Sequence, residues 1–119
     1  MDSYKSLVVW QRADEFTLAV LEAVDEAWAP RAGAVFDQLR RAAISVDVNI
    51  VEGYALNTVP LFRRHLRIAL GSAAEAERLI TIAGCRRYLP EPISNRLSTM
   101  IGKIFPALVG LMRSPNIHR

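Results

Sequence analysis

The stretch Gln38-Leu39-Arg40-Arg41-Ala42-Ala43-Ile44-Ser45-Val46-Asp47-Val48-Asn49-Ile50-Val51-Glu52-Gly53 carries two apolar stripes on one run of residues. Leu39, Ala43, Val46, Ile50 and Gly53 recur at steps of four and three, which puts them on one face of a helix with 3.6 residues per turn. Ile44, Val48 and Val51 keep the same rhythm and face another way. Between the stripes runs a polar line, Arg41, Ser45, Asn49 and Glu52, confined to a sector of about 80°. The segment therefore reads as a helix with more apolar surface than one packing face uses. Either the second stripe is an oligomer interface, with Ile44, Val48 and Val51 buried between copies of the chain, or both stripes lie inside a tightly wrapped bundle. The polar line must satisfy itself or a neighbouring helix, because unpaired polar groups are costly to bury.

The flanking sequence supplies three more helices by the same periodicity, and strand alternation is absent. The first, about Ser6 to Trp28, buries Val9, Ala13, Phe16, Val20, Ala23 and Ala27 and leaves Asp14, Glu15, Glu22, Asp25 and Glu26 on an acidic outer face. Pro30 and Gly33 punctuate the link to the second, roughly Ala34 to Leu56. Asn57-Thr58 offers an N-cap for the third, with Pro60 in its first turn. Its stripe of Phe62, Leu66, Ala69, Ala73, Ala76, Ile80 and Ala83 is rich in alanine, so a neighbour can approach closely. Ser72 and Glu75 on this helix are candidate partners for the polar line. Pro92 suits the first position of a fourth helix, whose apolar side is Ile93, Leu97, Met100, Ile101, Ile104, Leu108 and Leu111. Pro106 predicts a kink or a break there. Residues 113–119 read as a loose tail. Four amphipathic helices with short links bury their stripes most simply as one all-α, up-down-up-down antiparallel four-helix bundle over residues 1–119.

At 119 residues with 51% hydrophobic and 23% charged residues, the chain has the length and composition of one globular domain. No run approaches the roughly 18 consecutive apolar residues of a membrane span, and a cytoplasmic location without membrane association is expected. The single cysteine, Cys85, reads as a small buried apolar residue. The bases are 13 Arg against 2 Lys. Residues 1–30 carry six acids against Lys5 and Arg12, net −4, so residues 31–119 carry +7 of the overall +3.

Catalytic chemistry finds few candidates. The only histidines are His65 and His118, and no Glu-x-x-His is present, so neither a di-metal carboxylate centre nor a zinc site can be written. His65 and Ser72 share a helical side but lie about 10 Å apart along the axis, too far for a base to activate a nucleophile. His65 reads instead as a surface or interface residue. No glycine-rich phosphate cradle or Cys-x-x-Cys appears. The expectation is a protein without enzymatic activity, metal or cofactor. The arginines remain: Arg40, Arg41, Arg63, Arg67, Arg78, Arg86 and Arg87 are candidates for a sequence-independent nucleic-acid surface, because guanidinium groups bind phosphate bidentately. Arg78 has Glu75 within reach as an i,i+3 partner, and the same charge has a rival use in assembly against the acidic first helix of another copy.

Gln38 to Ser45 followed by Asn49-Ile50-Val51-Glu52-Gly53 resembles the signature of the intervening-sequence-encoded four-helix-bundle family. Leu7-Val8-Val9-Trp10-Gln11 resembles its opening, and Phe62, Leu66, Ile68-Ala69, Gly71-Ser72 and Glu75 its third-helix pattern, so the similarity covers about residues 4–112. Asp47, Tyr54 and the link after Trp28 depart from that pattern. The resemblance implies a small bacterial four-helix bundle, in some cases encoded within insertions of large-subunit ribosomal RNA genes, and places a polar set on Ser45, Asn49, Glu52, Ser72 and Glu75. The chain is also similar, more remotely, to the accessory protein of diversity-generating retroelements. That similarity implies a homo-oligomeric ring, five copies favoured, and association with RNA or DNA and a nucleic-acid enzyme. Three functions are thus expected in order: nucleic-acid or ribonucleoprotein binding through the arginines, a structural oligomer that engages proteins, and a small-molecule site at the polar line with Ser72 and Glu75.

Overall fold

The computed structural model describes residues 3–113, so the tail from Ser114 and its His118 lie outside the described residues. Four helices make up the architecture: α1 (Val8–Ala27), α2 (Gly33–Leu56), α3 (Val59–Cys85) and α4 (Glu91–Arg113), with 3-10 turns at Tyr4–Ser6 and Pro30–Ala32. No strand occurs among the described residues. Consecutive helices pack side by side and α1 closes against α4, giving an antiparallel four-helix bundle of 45 × 22 × 21 Å. The apolar stripes meet in one core, with Phe16, Phe36 and Phe62 its largest fully buried side chains.

The helix ends follow from local chemistry. Asn57 ends α2 at φ 57°, the left-handed conformation that asparagine tolerates, and the next residue, Thr58, accepts a hydrogen bond from Leu61 N–H at 3.4 Å to start α3. At the other end of α3, Tyr88 N–H bonds to Ala83 C=O at 2.8 Å and Arg87 N–H to Gly84 C=O at 3.1 Å. This is a Schellman turn, and Arg87 occupies its left-handed position at φ 59°, where glycine is usual. Cys85 is exposed rather than buried, because it stands seven residues, about two turns, beyond the outward-facing Arg78. α4 starts one residue before Pro92 and runs through Pro106 to Arg113 as one helix, so of the kink or break expected at Pro106 no break occurs.

The α2–α3 contact positions the polar groups. A Cβ on Gly53 would lie 2.7 Å from His65 Cβ and 3.1 Å from the Phe62 ring, closer than such atoms approach. Glycine is required there, and its absent side chain brings the two helices together where the polar line ends, next to Glu52. Thr17 is the counterpart between α1 and α2. Its buried hydroxyl lies 2.8 Å from Ala13 C=O in its own helix and 3.1 Å from Ala43 C=O across the interface.

Candidate functional site

A chain of hydrogen bonds joins the polar line of α2 to α3. Asn49 Nδ2 donates to Ser45 C=O at 2.8 Å and to Ser45 Oγ at 3.1 Å. With its amide nitrogen so placed, Asn49 Oδ1 is the acceptor toward His65 Nδ1 at 2.9 Å, and His65 therefore carries its proton on Nδ1. Ser45 Oγ also shares a hydrogen bond with Ser72 Oγ at 2.7 Å, in which either hydroxyl can donate. Glu52 lies 3.8 Å from His65 Nδ1, an ion pair only when the imidazole is protonated.

The structure thus brings together Ser45, Asn49, Glu52 and Ser72, and adds His65, which the sequence gives as a surface or interface residue and which stands at the α2–α3 interface. His65 lies on the same α3 face as Ser72, and that spacing is the signal in the sequence that points to it. Arg41 and Glu75 do not join: both are exposed, and among the described residues neither has a hydrogen bond or ion pair. The Glu75–Arg78 pair also does not form among them. Asn49 and Ser45 stand between His65 and Ser72, so no base–nucleophile pair exists. What this arrangement does is fix the register of α2 on α3.

On either side of this network the surface is apolar. Ile44 and Val48 on α2 are each 41% exposed and Ile68 on α3 is 44% exposed, while Val51 is half-buried. The second stripe of α2 therefore lies outside the core of its own chain.

The seven candidate arginines do not form one patch. Arg40 lies against Trp28, its guanidinium 4.9 Å from the ring centroid and 3.9 Å from Asp37, with Nε buried beneath. Arg63 donates through Nε to Met112 C=O at 3.1 Å, closing the last turn of α4. The Arg87 backbone forms the Schellman turn and its carbonyl accepts from Arg31, whose guanidinium covers Tyr88 at 4.9 Å, while the Arg87 side chain is exposed beyond the end of α3. Arg41 is on α2. Arg67 and Arg78 lie on the outward side of α3 with Arg64, an arginine outside the sequence-based set, and Arg86 follows its last turn. These four are exposed, and none has a side-chain hydrogen bond or ion pair among the described residues.

Two further features complete the polar inventory. Trp10 Nε1 donates to Asp47 Oδ1 at 2.9 Å. Burial raises the Asp47 pKa above its ordinary value, the Trp10 bond opposes that shift, and Asp14 adds to it. Where α3 turns into α4, an open cleft of about 890 Å³ is lined in part by Thr81, Arg87, Glu91, Ser94 and Asn95. The Thr81 and Ser94 hydroxyls bond to Glu77 and Glu91 carbonyls of their own helices. Among the described residues no three His, Cys, Asp or Glu side chains converge as a metal site, and no helix is long and apolar enough to cross a membrane.

No curated protein matches the chain. Among solved structures it is similar to a protein of unknown function from the S23 ribosomal protein family of Bacteroides thetaiotaomicron, with a TM-score of 0.78 and 20% identity, covering 90% of this chain and 100% of that one. At that identity the likeness shows the shared bundle. The sequence itself matches the 23S rRNA-intervening sequence protein family over residues 5–110, which span all but the last turn of the four-helix framework described above, and the chain belongs to that family.

Proposed function

We propose that this is a non-enzymatic protein that binds RNA by its phosphate backbone along the outer side of α3. The observation that supports this most is the set Arg64, Arg67, Arg78 and Arg86, exposed and without intrachain partners among the described residues. From Arg64 to Arg86 the helix rises about 33 Å, a length suited to successive phosphates. Free guanidinium groups form bidentate bonds to phosphate without reading sequence. The description of the family by an intervening sequence of 23S rRNA makes RNA the first nucleic acid to test. Retardation of a generic structured RNA should weaken steeply between about 50 and 200 mM salt, and Arg67→Glu with Arg78→Glu should reduce the salt slope by about 2. Binding unchanged by that pair of substitutions overturns the proposal.

A second reading, self-association, is favoured by a separate observation, the exposed Ile44, Val48 and Ile68 beside one another on the α2–α3 face. The ring of five that the resemblance implies would have five times the 13.3 kDa of one chain in light scattering. A particle of one chain's mass at micromolar concentration overturns it.

A further inference from the structure

The cleft where α3 turns into α4 lies at the end of the arginine line and differs from it in chemistry. On α3, Arg67 stands about three turns before Arg78, and Arg78, Thr81 and Cys85 follow at steps of three and four, so all four share one side of the helix. Thr81 and Cys85 line the cleft, Arg78 stands about one turn before it, and Arg87 lines it beyond the helix end. A strand laid along Arg67 and Arg78 therefore reaches the cleft. Its volume, about 890 Å³, is within the roughly 300–1,000 Å³ of small-ligand sites.

The lining suits a base rather than a phosphate. Ala27, Ile80, Leu89 and Pro90 make part of it apolar, Ile80 and Leu89 being core residues. The polar part is rich in acceptors. The Thr81 hydroxyl donates to Glu77 C=O and the Ser94 hydroxyl to Glu91 C=O, each at 3.1 Å, so what both have left to offer is lone pairs. The Glu91 carboxylate, exposed and without a side-chain hydrogen bond or ion pair among the described residues, adds two acceptor oxygens and repels phosphate. The Asn95 amide and the Arg87 guanidinium, also without such partners among them, supply donors. Adenine, cytosine and guanine each carry an exocyclic amino group that donates to a carboxylate. Uracil instead has one N–H between two carbonyl oxygens, which the Glu91 oxygens repel. In a duplex these edges are already paired, so an unpaired base is needed to present them.

We infer that the α3–α4 cleft holds one unpaired nucleotide of the RNA bound along α3, and that Glu91 selects an amino-bearing base over uracil. This rests on the RNA-binding reading and adds to it a single-stranded end and a base preference, neither of which arginine contacts to phosphate supply.

Three hairpin RNAs with the same duplex test it on the full chain: one blunt, one ending in three unpaired cytidines and one ending in three unpaired uridines, with the tail at the 3′ end and at the 5′ end in separate probes. By fluorescence anisotropy at fixed salt, the cytidine tail at one of the two ends should bind about fivefold or more tightly than the uridine tail. Glu91→Gln, an exposed substitution whose fold is checked by circular dichroism, should shrink that difference below about twofold, because an amide donates to uracil as readily as it accepts from cytosine. Cys85 gives a second readout that needs no variant. When a pyridyl disulfide is tethered to a base, attack by the Cys85 thiolate forms a protein–RNA disulfide and releases pyridine-2-thione. A tether on a tail cytidine should couple about tenfold or more faster than the same tether in the middle of the duplex. Equal affinity for the two tails at both ends, a preference that survives Glu91→Gln, or equal coupling rates overturn the cleft inference, while retardation lost in Arg67→Glu with Arg78→Glu leaves the arginine line standing. A chain that binds none of the hairpins overturns both.

Discussion

Asp47 shows how one side chain couples burial to pH. Its carboxylate receives the Trp10 indole N–H, yet desolvation dominates and its pKa in the folded chain lies above 3.8. A carboxyl whose pKa is raised on folding holds its proton more tightly in the folded state, so its unfavourable contribution is full above the folded pKa and disappears as pH falls below the unfolded one. Asp47→Asn, which keeps an oxygen toward Trp10, should therefore be more stable than the unmodified chain in urea at about pH 7. That advantage should shrink as pH falls through the raised folded pKa and be gone below the ordinary aspartate pKa of about 3.9, and an advantage independent of pH would contradict the assignment. Residue-scale roles of this kind are only partly legible in the sequence. The spacing of Ser45, Asn49 and Glu52 marks a line that needs partners, and Ser72 is recognisable as one. His65 is legible only as a surface or interface residue, because a histidine beside an arginine on a basic helix does not show which groups it meets until the neighbouring helix is in place.

Among the elements, α2 and α3 are the pair whose closeness decides the site. Gly53→Ala would force a methyl group to within 2.7 Å of His65 Cβ, against a helix that cannot move without disturbing the Asn49 and Ser45 bonds. It should cost about 1–3 kcal/mol, the usual range for overpacking. Gly71, on the outer side of α3, has nothing within 4 Å of the place a methyl group would take, so Gly71→Ala should instead stabilise the fold through helix propensity. The gain expected is about 0.5–1 kcal/mol. Thermal melts of the two variants shifting in the same direction would refute this account. Helix count, order and core are legible because periodicity reports burial directly. Of the kink or break expected at Pro106, the break does not occur because packing of Ile104 and Leu108 in the core holds α4 helical on both sides of one missing hydrogen bond. The fate of Cys85 turns on which side of a terminal turn faces water, and composition carries no such information.

At the scale of the whole molecule, a 45 Å bundle separates charges that lie close together in the sequence. Counted along the chain, the arginines suggest one surface; the fold engages the Arg40 and Arg63 side chains in the bundle's own closures and leaves a line along α3. If nucleic acid lies along that line, the contact length of one chain is the roughly 33 Å from Arg64 to Arg86, which for duplex DNA corresponds to about ten base pairs at about 3.4 Å each. Affinity should therefore rise between duplexes of about six and ten base pairs and level off for longer ones, as measured by fluorescence anisotropy at fixed salt. No levelling up to about twenty base pairs would place the contact elsewhere.

The two tryptophans stand near opposite ends of this rod: Trp10 bonded to Asp47 at the start of α1, Trp28 46% exposed where α1 ends. With one replaced by phenylalanine, the emission of the other watches its own extremity alone. Fraying that begins at one tip can thus be timed separately from fraying at the other, without attaching a dye.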